Sequence, residues 1–311
     1  MKMHRITVGL LVLAFLTSMV ALVGCPPKEE EPVEPMMTEP GEPGAGPVGE
    51  PATIDQIGST TVLPIAEKWA QAFHEKHANV EIDVAGGGSG TGIKALIDGT
   101  ADIADASRPI KDKEKALAEE NGITPVEHVV AYDGIAAVVH PDNPVGELSI
   151  EQLSDIFCGE VTSWDELGVS GMGDIIVVSR DSASGTYESW KDMVVSMNGE
   201  AEDRDYDPGA LKKGSNKDVR SIVAQTKGAI GYMGLGYIDS SVKPVPVIPM
   251  DGGPAVEPTS RNVQEGSYPV SRKLYMYTDG QPSGAVKDYL EWGMTDEGQG
   301  LVEEAGYVKV K

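Results

Sequence analysis

The stretch Gly86-Gly87-Gly88-Ser89-Gly90-Thr91-Gly92 constrains the fold most tightly, because Val80 to Ala85 before it reads as a strand and Ile93 to Asp98 after it as a helix. Glycines permit positive φ and close backbone approach. Unpaired N–H groups at a helix start, together with the positive end of its dipole, favour a bound oxyanion. Ser89 and Thr91 add hydroxyl donors without adding charge. A plain flexible turn would use the same glycines, so the weight falls on company, and further stretches repeat the chemistry.

Thr53 to Ile57 alternates as a strand, Gly58-Ser59-Thr60-Thr61 turns, and Val62 to His77 carries the apolar spacing of an amphipathic helix, with Pro64 tolerated in its first turn. After the glycine loop and its helix, Thr100 to Ala106 reads as a strand ending at Ser107-Arg108-Pro109, and Lys111 to Asn121 as a surface helix stopped by Gly122. Alternating strand and helix predict a doubly wound α/β domain with ligands beyond the carboxyl ends of the strands. Pro125 to His140 is a long apolar run broken by Tyr132-Asp133-Gly134, read as the first crossing into a second domain. There, Ser149 and Gln152 have the spacing of a capping box ahead of a helix to Phe157, and Ser163 to Leu167 forms a short helix. Ile175 to Val178 is a strand, Ser179 to Thr186 the fourth anion-type turn with Arg180 inside it, and Tyr187 to Met197 a helix. Gly199 to Gly214 is an acidic excursion, Val219 to Gln225 a helix, Gly228 to Tyr232 a strand, and Val245 to Met250 the expected return to the first domain; Ala285 to Gly293 and Thr295 to Ala305 close the chain as helices.

The N-terminal part has a different character. Lys2 and Arg5 precede an apolar run from Val8 to Val23, and Leu22-Val23-Gly24-Cys25 sets small residues before a cysteine. This resembles the lipobox of bacterial lipoproteins, which implies a signal peptide over 1–24 and a lipidated Cys25 that anchors the chain outside the cytoplasmic membrane. Residues 25–51 are rich in Pro, Glu and Gly, with almost nothing to bury, and read as a self-repelling disordered tether. Cys158 is then left without a partner and is expected to act as a small buried hydrophobe. The formal charge of −24, which becomes −26 once Lys2 and Arg5 are removed, argues against nucleic acid or an anionic membrane surface as partner. A small anion held locally by N–H groups and one or two cations remains compatible with it.

Together the turns offer Ser59, Thr60 and Thr61, then Ser89, then Ser107, and from the second domain Arg180, Ser184, Gly185 and Thr186. Hydroxyls, amides and one guanidinium suit a small tetrahedral oxyanion, and ligands from both domains imply closure about a hinge. Taken singly, Ser59, Thr60 and Ser184 also suit ordinary helix N-caps. Arg108 reads as one half of a structural ion pair; Trp69, Phe73 and Trp190 read as core.

Gly58-Ser-Thr-Thr-Val-Leu-Pro, the Gly86 to Lys94 stretch, Ala101-Asp-Ile with Ser107-Arg108-Pro109, Arg180 to Thr186, Gly228-Ala-Ile-Gly-Tyr and Tyr268 to Tyr277 resemble the phosphate-binding proteins of the high-affinity phosphate ABC transporter. The resemblance covers most of the chain from Ile57 onward. It implies a two-domain periplasmic binding protein of type II, with hinge crossings and a ligand cleft between domains: domain I over 52–133 and 245–311, domain II over 134–244. It also implies capture of inorganic phosphate for an ABC permease with its ATPase subunits, by a monomer that needs neither metal nor cofactor. By position, the family's phosphate ligands fall on Thr60, Thr61, Ser89, Arg180, Ser184, Gly185 and Thr186. Where some members carry a carboxylate that accepts a hydrogen bond from the protonated phosphate oxygen, this chain has Ser107, and Asp181 or Asp133 is expected to supply part of that discrimination. A general oxyanion receptor and a phosphate sensor use the same site. A phosphate-ester hydrolase would need a base beside its serine, yet His74 and His77 lie near the end of an amphipathic helix, and His128 and His140 flank the domain crossing. No His-Glu-x-x-His and no Gly-x-Ser-x-Gly elbow is present.

Overall fold

The computed structural model describes residues 51–310; the apolar leader, Cys25 and the Pro/Glu-rich tether lie outside the described residues. The first lobe opens with β1 (Ala52–Gly58), α1 (Leu63–Lys76), β2 (Val80–Gly86), α2 (Ser89–Ile97), β3 (Ile103–Ala106) and α3 (Asp112–Glu120). β1 pairs in parallel with both β2 and β3, the doubly wound arrangement that the strand and helix alternation predicts. Helix α1 lays Ile65, Ala66, Trp69, Ala70 and Phe73 on the sheet. Trp69 and Phe73 meet Tyr289 and Trp292 edge-on in the first core, as expected for aromatic residues on an apolar helix face.

β4 (Pro125–Val139) leaves this lobe. Its Pro125 to Gly134 portion runs antiparallel to β11 (Ser271–Asp279), while Ile135 to Val139 pairs with β8 (Ala229–Gly234). One unbroken strand therefore serves both halves of the sheet and changes partner at Gly134. The second lobe contains β5 (Leu148–Ser149), α4 (Ile150–Cys158), β6 (Ile176–Arg180), α5 (Gly185–Trp190), β7 (Leu211–Lys213), α6 (Asn216–Gln225), β8, β9 (Lys243–Pro244), β10 (Val247–Ile248) and α7 (Ser260–Gln264). β11, α8 (Gly284–Gly293) and α9 (Asp296–Glu304) complete the first lobe. Along the sheet the order is β2-β1-β3-β11-β4-β8-β6-β7, with β9 added beside β4.

The capping box of α4 forms as its spacing predicts: Ser149 Oγ accepts from Gln152 N at 3.1 Å and Gln152 Oε1 accepts from Ser149 N at 2.9 Å. Two expectations fail. The return to the first domain expected at Val245 to Met250 does not occur there, because β10 pairs with β5 and Val245, Val247, Val263, Tyr268 and Val270 are all packed in the second core. β11 makes the return instead, with Val270 just before it in the second core and Leu274 within it in the first. The helix expected over Tyr187 to Met197 is α5 followed by a π-turn over Lys191–Val195 and a 3-10 turn over Met197–Gly199. Met197 and Asn198 adopt positive φ (49° and 53°) at this break, a backbone state that sequence periodicity does not register.

Candidate functional site

The polar turns meet where β1, β3 and β6 end, all pointing toward the seam between the lobes. Ser59, Thr60 and Thr61 follow β1, Ser89 opens α2, Ser107 follows β3, Arg180 closes β6, and Gly185 and Thr186 open α5. Ser59, Thr60, Thr61, Ser89, Ser107, Arg180, Ser184 and Thr186 are all buried, although none is apolar. Such burial is tolerated when each group has hydrogen-bond partners. Here many of the partners lie across the seam.

Arg180 Nη2 donates to Thr60 Oγ1 at 3.0 Å, and Thr61 Oγ1 and Thr186 Oγ1 are 2.9 Å apart. Gly90 N donates to Ala183 O at 3.0 Å, Ser189 Oγ to Ser107 O at 3.3 Å, and Tyr237 Oη to Thr60 O at 2.5 Å. At the edge of the seam Lys111 Nζ lies 2.7 Å from a Glu188 carboxylate oxygen. Ser89 Oγ accepts from Ser107 N at 3.0 Å and is 3.4 Å from Ser107 Oγ. A Cβ built on Gly185 would come within 2.4 Å of Ser89 Oγ and 2.6 Å of Ser107 Oγ, so the backbone of α5 touches the first lobe here.

The capping and binding readings of Ser184 coexist. Its Oγ accepts from Thr186 N (3.1 Å) and Tyr187 N (3.3 Å), which occupies the lone pairs and leaves the O–H to donate. Ser59 Oγ accepts from Thr61 N at 3.2 Å, while α1 itself has Val62 at its N-cap and so no side-chain cap. Thr60 and Thr61 are thereby freed for the seam. The glycine loop differs from expectation: the N–H groups of Gly87 and Gly88 both donate to Gly58 O, and that of Gly90 is used across the seam. Ser89 is thus its principal contribution. Gly88 needs glycine, with φ of 97° and Ala183 O 2.7 Å from where a Cβ would sit.

Arg180 is held by Lys213 O (3.1 Å) at the end of β7, Gly214 O (2.9 Å) in the loop that follows, and Asn216 Oδ1 (3.0 Å) at the start of α6. Burial lowers its pKa from the ordinary arginine value, with Tyr232 and Asp181 opposing the shift, but a guanidinium stays charged in such a site. Its backbone N–H donates to Tyr232 Oη at 3.2 Å, and the Tyr232 ring is fixed by stacking on Trp190 with ring centroids 4.7 Å apart. Arg108 is bidentate to Glu114 at 2.8 Å for both bonds, the structural ion pair expected of it.

The structure separates the two aspartates. Asp181 accepts from Ala183 N at 3.1 Å and shapes its own turn. Asp133 is fully buried at the point where β4 changes partner, accepting from Leu235 N at 3.0 Å and from Arg272 at 2.9 Å and 3.1 Å. Burial pushes the Asp133 carboxyl above its ordinary pKa, against the pull of Arg272. No pattern in the sequence marks Arg272 or Asn216 as a site residue. Arg272 Nη2 reaches Thr61 Oγ1 (3.3 Å) and Thr186 Oγ1 (3.0 Å), and Asn216 Nδ2 reaches Thr61 Oγ1 (3.2 Å). Arg272 lies within the Tyr268 to Tyr277 stretch that carries part of the family resemblance, a signal pointing to the strand but not to the side chain.

The histidines among the described residues are engaged elsewhere: His74 Nδ1 with Val80 O, His77 stacked on Phe73, His128 Nε2 with Thr278 Oγ1, and His140 Nδ1 with Asp142 N. Among the described residues no cluster of His, Cys, Asp and Glu fits a metal ion. A surface cavity of about 870 Å³, lined among others by His128, Leu290 and Met294, shares no residue with the serine, threonine and arginine cluster. Cys158 is half-buried against the second core, and burial raises its thiol pKa.

A profile of the PBP superfamily domain matches residues 41–297. The phosphate-binding protein PstS of Pseudomonas aeruginosa is 31% identical over 276 residues, covering 84% of this chain and 84% of the relative. PstS of Staphylococcus aureus strain USA300 is 34% identical over 258 residues, covering 81% of this chain and 76% of the relative. Among solved structures, a phosphate ABC transporter substrate-binding protein from Clostridium perfringens, determined with bound phosphate, is 33% identical. It superposes with a TM-score of 0.73 over 83% of this chain and 100% of its own. An ABC-type phosphate transport receptor from Vibrio cholerae gives 29% identity and a TM-score of 0.64 over 82% of this chain and 99% of its own. Match lengths of this kind, on a two-lobed sheet whose polar turns converge at the seam, place the chain in the phosphate-binding protein family, on the two-domain periplasmic binding protein fold.

Proposed function

We propose that this chain captures inorganic phosphate between its lobes and delivers it to an ABC importer, held at the outer face of the membrane by a lipid on Cys25. The observation that carries the proposal is the buried convergence of Thr60, Thr61, Ser89, Ser107, Arg180, Ser184 and Thr186 from both lobes, with no serine bonded to a histidine among the described residues. Neutral donors and a guanidinium in a dehydrated seam make charge-assisted hydrogen bonds, which are the strong ones, and the planar arginine fork suits phosphate. A receptor needs no base or nucleophile, consistent with relatives named as phosphate-binding proteins rather than enzymes. The lipid anchor rests on Leu22 to Cys25, and a single binding unit per chain suits a monomer.

Of the two aspartates, Asp133 rather than Asp181 bears on the choice between phosphate and sulfate, and it does so through Arg272, which it holds beside Thr61 and Thr186. Calorimetric titration of the soluble chain with phosphate and then sulfate at neutral pH tests the reading. Tight phosphate binding without a sulfate response supports it; equal binding of both would mark a general oxyanion receptor, and no binding of either would overturn it. In the same titration Arg180→Ala is expected to weaken phosphate binding by at least ~1.5–3 kcal/mol, the range for a hydrogen bond to a charged group. Unchanged affinity would remove Arg180 from the site. Lys111→Met should do far less, about 1 kcal/mol or under for a partly exposed pair, and should show in stopped-flow traces as faster phosphate release rather than slower capture.

A further inference from the structure

We infer that Arg272 is a second anion-binding cation, reaching the ligand from the first lobe as Arg180 does from the second. The inference rests on the phosphate-receptor reading above and adds a ligand to its site. Three features of Arg272 point to it. Its side chain is 6% exposed, so it is not a surface charge. Its Nη2 hydrogen-bonds the Thr61 and Thr186 hydroxyls, which belong to opposite lobes and are both members of the binding cluster. Its Nη1 is buried with no hydrogen-bond partner in the protein, a donor that an oxyanion beside Thr61 and Thr186 would satisfy.

The two arginines are arranged reciprocally. Arg180 belongs to β6 and donates to Thr60 of the first lobe; Arg272 belongs to β11 and donates to Thr186 of the second. An anion held by both would join the lobes through two cations and not one. Asp133 orients Arg272 through Nε and Nη2, leaving Nη1 unused, and Asp133 Oδ1 is tied to Leu235 N beside the partner change of β4. Asp133 is thus the positioning residue for Arg272, anchored where β4 passes from one lobe to the other.

Removing only Arg272 leaves Asp133 buried without its cation, which can unfold the protein for reasons unrelated to binding. The test therefore pairs Arg272→Gln with the double variant Arg272→Gln/Asp133→Asn, which removes both charges together. The detergent-purified full chain is titrated with inorganic phosphate by calorimetry, and folding is checked by thermal melting without phosphate. Wild type is expected to bind phosphate; both variants are expected to lose tenfold or more in affinity, the double variant while melting within a few degrees of wild type. Arg272→Lys, which keeps the charge but not the fork, is expected to lie between. If wild type binds and the folded double variant binds equally well, Arg272 is only a structural partner of Asp133 and the inference falls. If wild type itself does not bind phosphate, the receptor reading falls first.

Discussion

Gly185→Ala is expected to cost about ten- to one-hundredfold in phosphate affinity without loss of thermal stability, measured by calorimetry beside a melting curve. The added methyl would lie 2.4 Å from Ser89 Oγ, 2.6 Å from Ser107 Oγ and 3.1 Å from Ser89 Cβ. The hydroxyls can rotate away, but only by leaving the positions from which they would serve the anion, and the Ser89 Cβ cannot. Overpacking of this kind costs ~1–3 kcal/mol, which at about 1.4 kcal/mol per decade gives the stated range. The penalty falls on the closed seam because the clashing atoms belong to opposite lobes. Within its own lobe Gly185 opens a helix, where alanine is the better helix former. Solution scattering should then show a more open particle at saturating phosphate than wild type gives. Equal affinity and an equally compact particle would mean that α5 does not approach the first lobe when phosphate binds.

The second large effect concerns Asp105 in the first lobe. It is 1% exposed; Oδ1 accepts from Gln56 Nε2 at 2.8 Å, and Oδ2 has no partner. The other end of Gln56 is occupied by Tyr289 Oη at 3.0 Å, so no cation completes the network. Burial pushes the Asp105 carboxyl up to about 7, against the weaker opposing pull of Gln56. A raised folded pKa means that folding favours the neutral acid: the contribution to stability is complete below the unfolded value of 3.8 and is lost as pH rises through 7. The whole effect is about 4 kcal/mol, of which roughly 2–3 kcal/mol falls between about pH 5 and about pH 8. Asp105→Asn should therefore flatten this part of the pH profile, gaining on wild type by that amount as the solution becomes alkaline. Denaturant melts of both proteins at the two pH values measure it. Parallel profiles would show that Asp105 stays ionised in the fold. The residue is the register partner of Gly58 on β1 and lies two residues before Ser107, so the same titration should be followed by phosphate calorimetry to separate stability from binding.

Tyr232 shows how a site residue is supported from a distance. Its hydroxyl bonds Ser179 Oγ at 2.9 Å, Arg180 N at 3.2 Å and Tyr206 Oη at 3.0 Å, while its ring stacks on Trp190. Burial drives this phenol up to about 12, so it remains a neutral donor throughout the working range. Tyr206 comes from the acidic stretch that reads in sequence as a surface excursion, yet it is 7% exposed and packed in the second core. The charged residues around it, Glu202, Asp203 and Asp205, dominate the composition there and conceal one aromatic anchor.

Sequence by itself determined the parts whose physics is local. The Ser149 and Gln152 capping box, the glycine-bearing turn before α2, the hydroxyl turn after β1, and the Arg180 to Thr186 turn each depend on neighbours within a few residues. Short-range spacing therefore reports them correctly. The bidentate Arg108 to Glu114 pair is local in the same sense, six residues apart. Tertiary structure alone decided what converges. Thr61, Asp133, Thr186, Asn216 and Arg272 meet only because β11 inserts between β3 and β4, and because β4 passes from one half of the sheet to the other at Gly134. Strand order is set by burial of both sheet faces over the whole chain, and β11, buried from Leu274 to Thr278, carries no alternation to announce which strands it joins. The same long-range packing assigns Val245 to Val270 to the second core: an apolar segment is attracted equally by either core until the strands on both sides of it are in place.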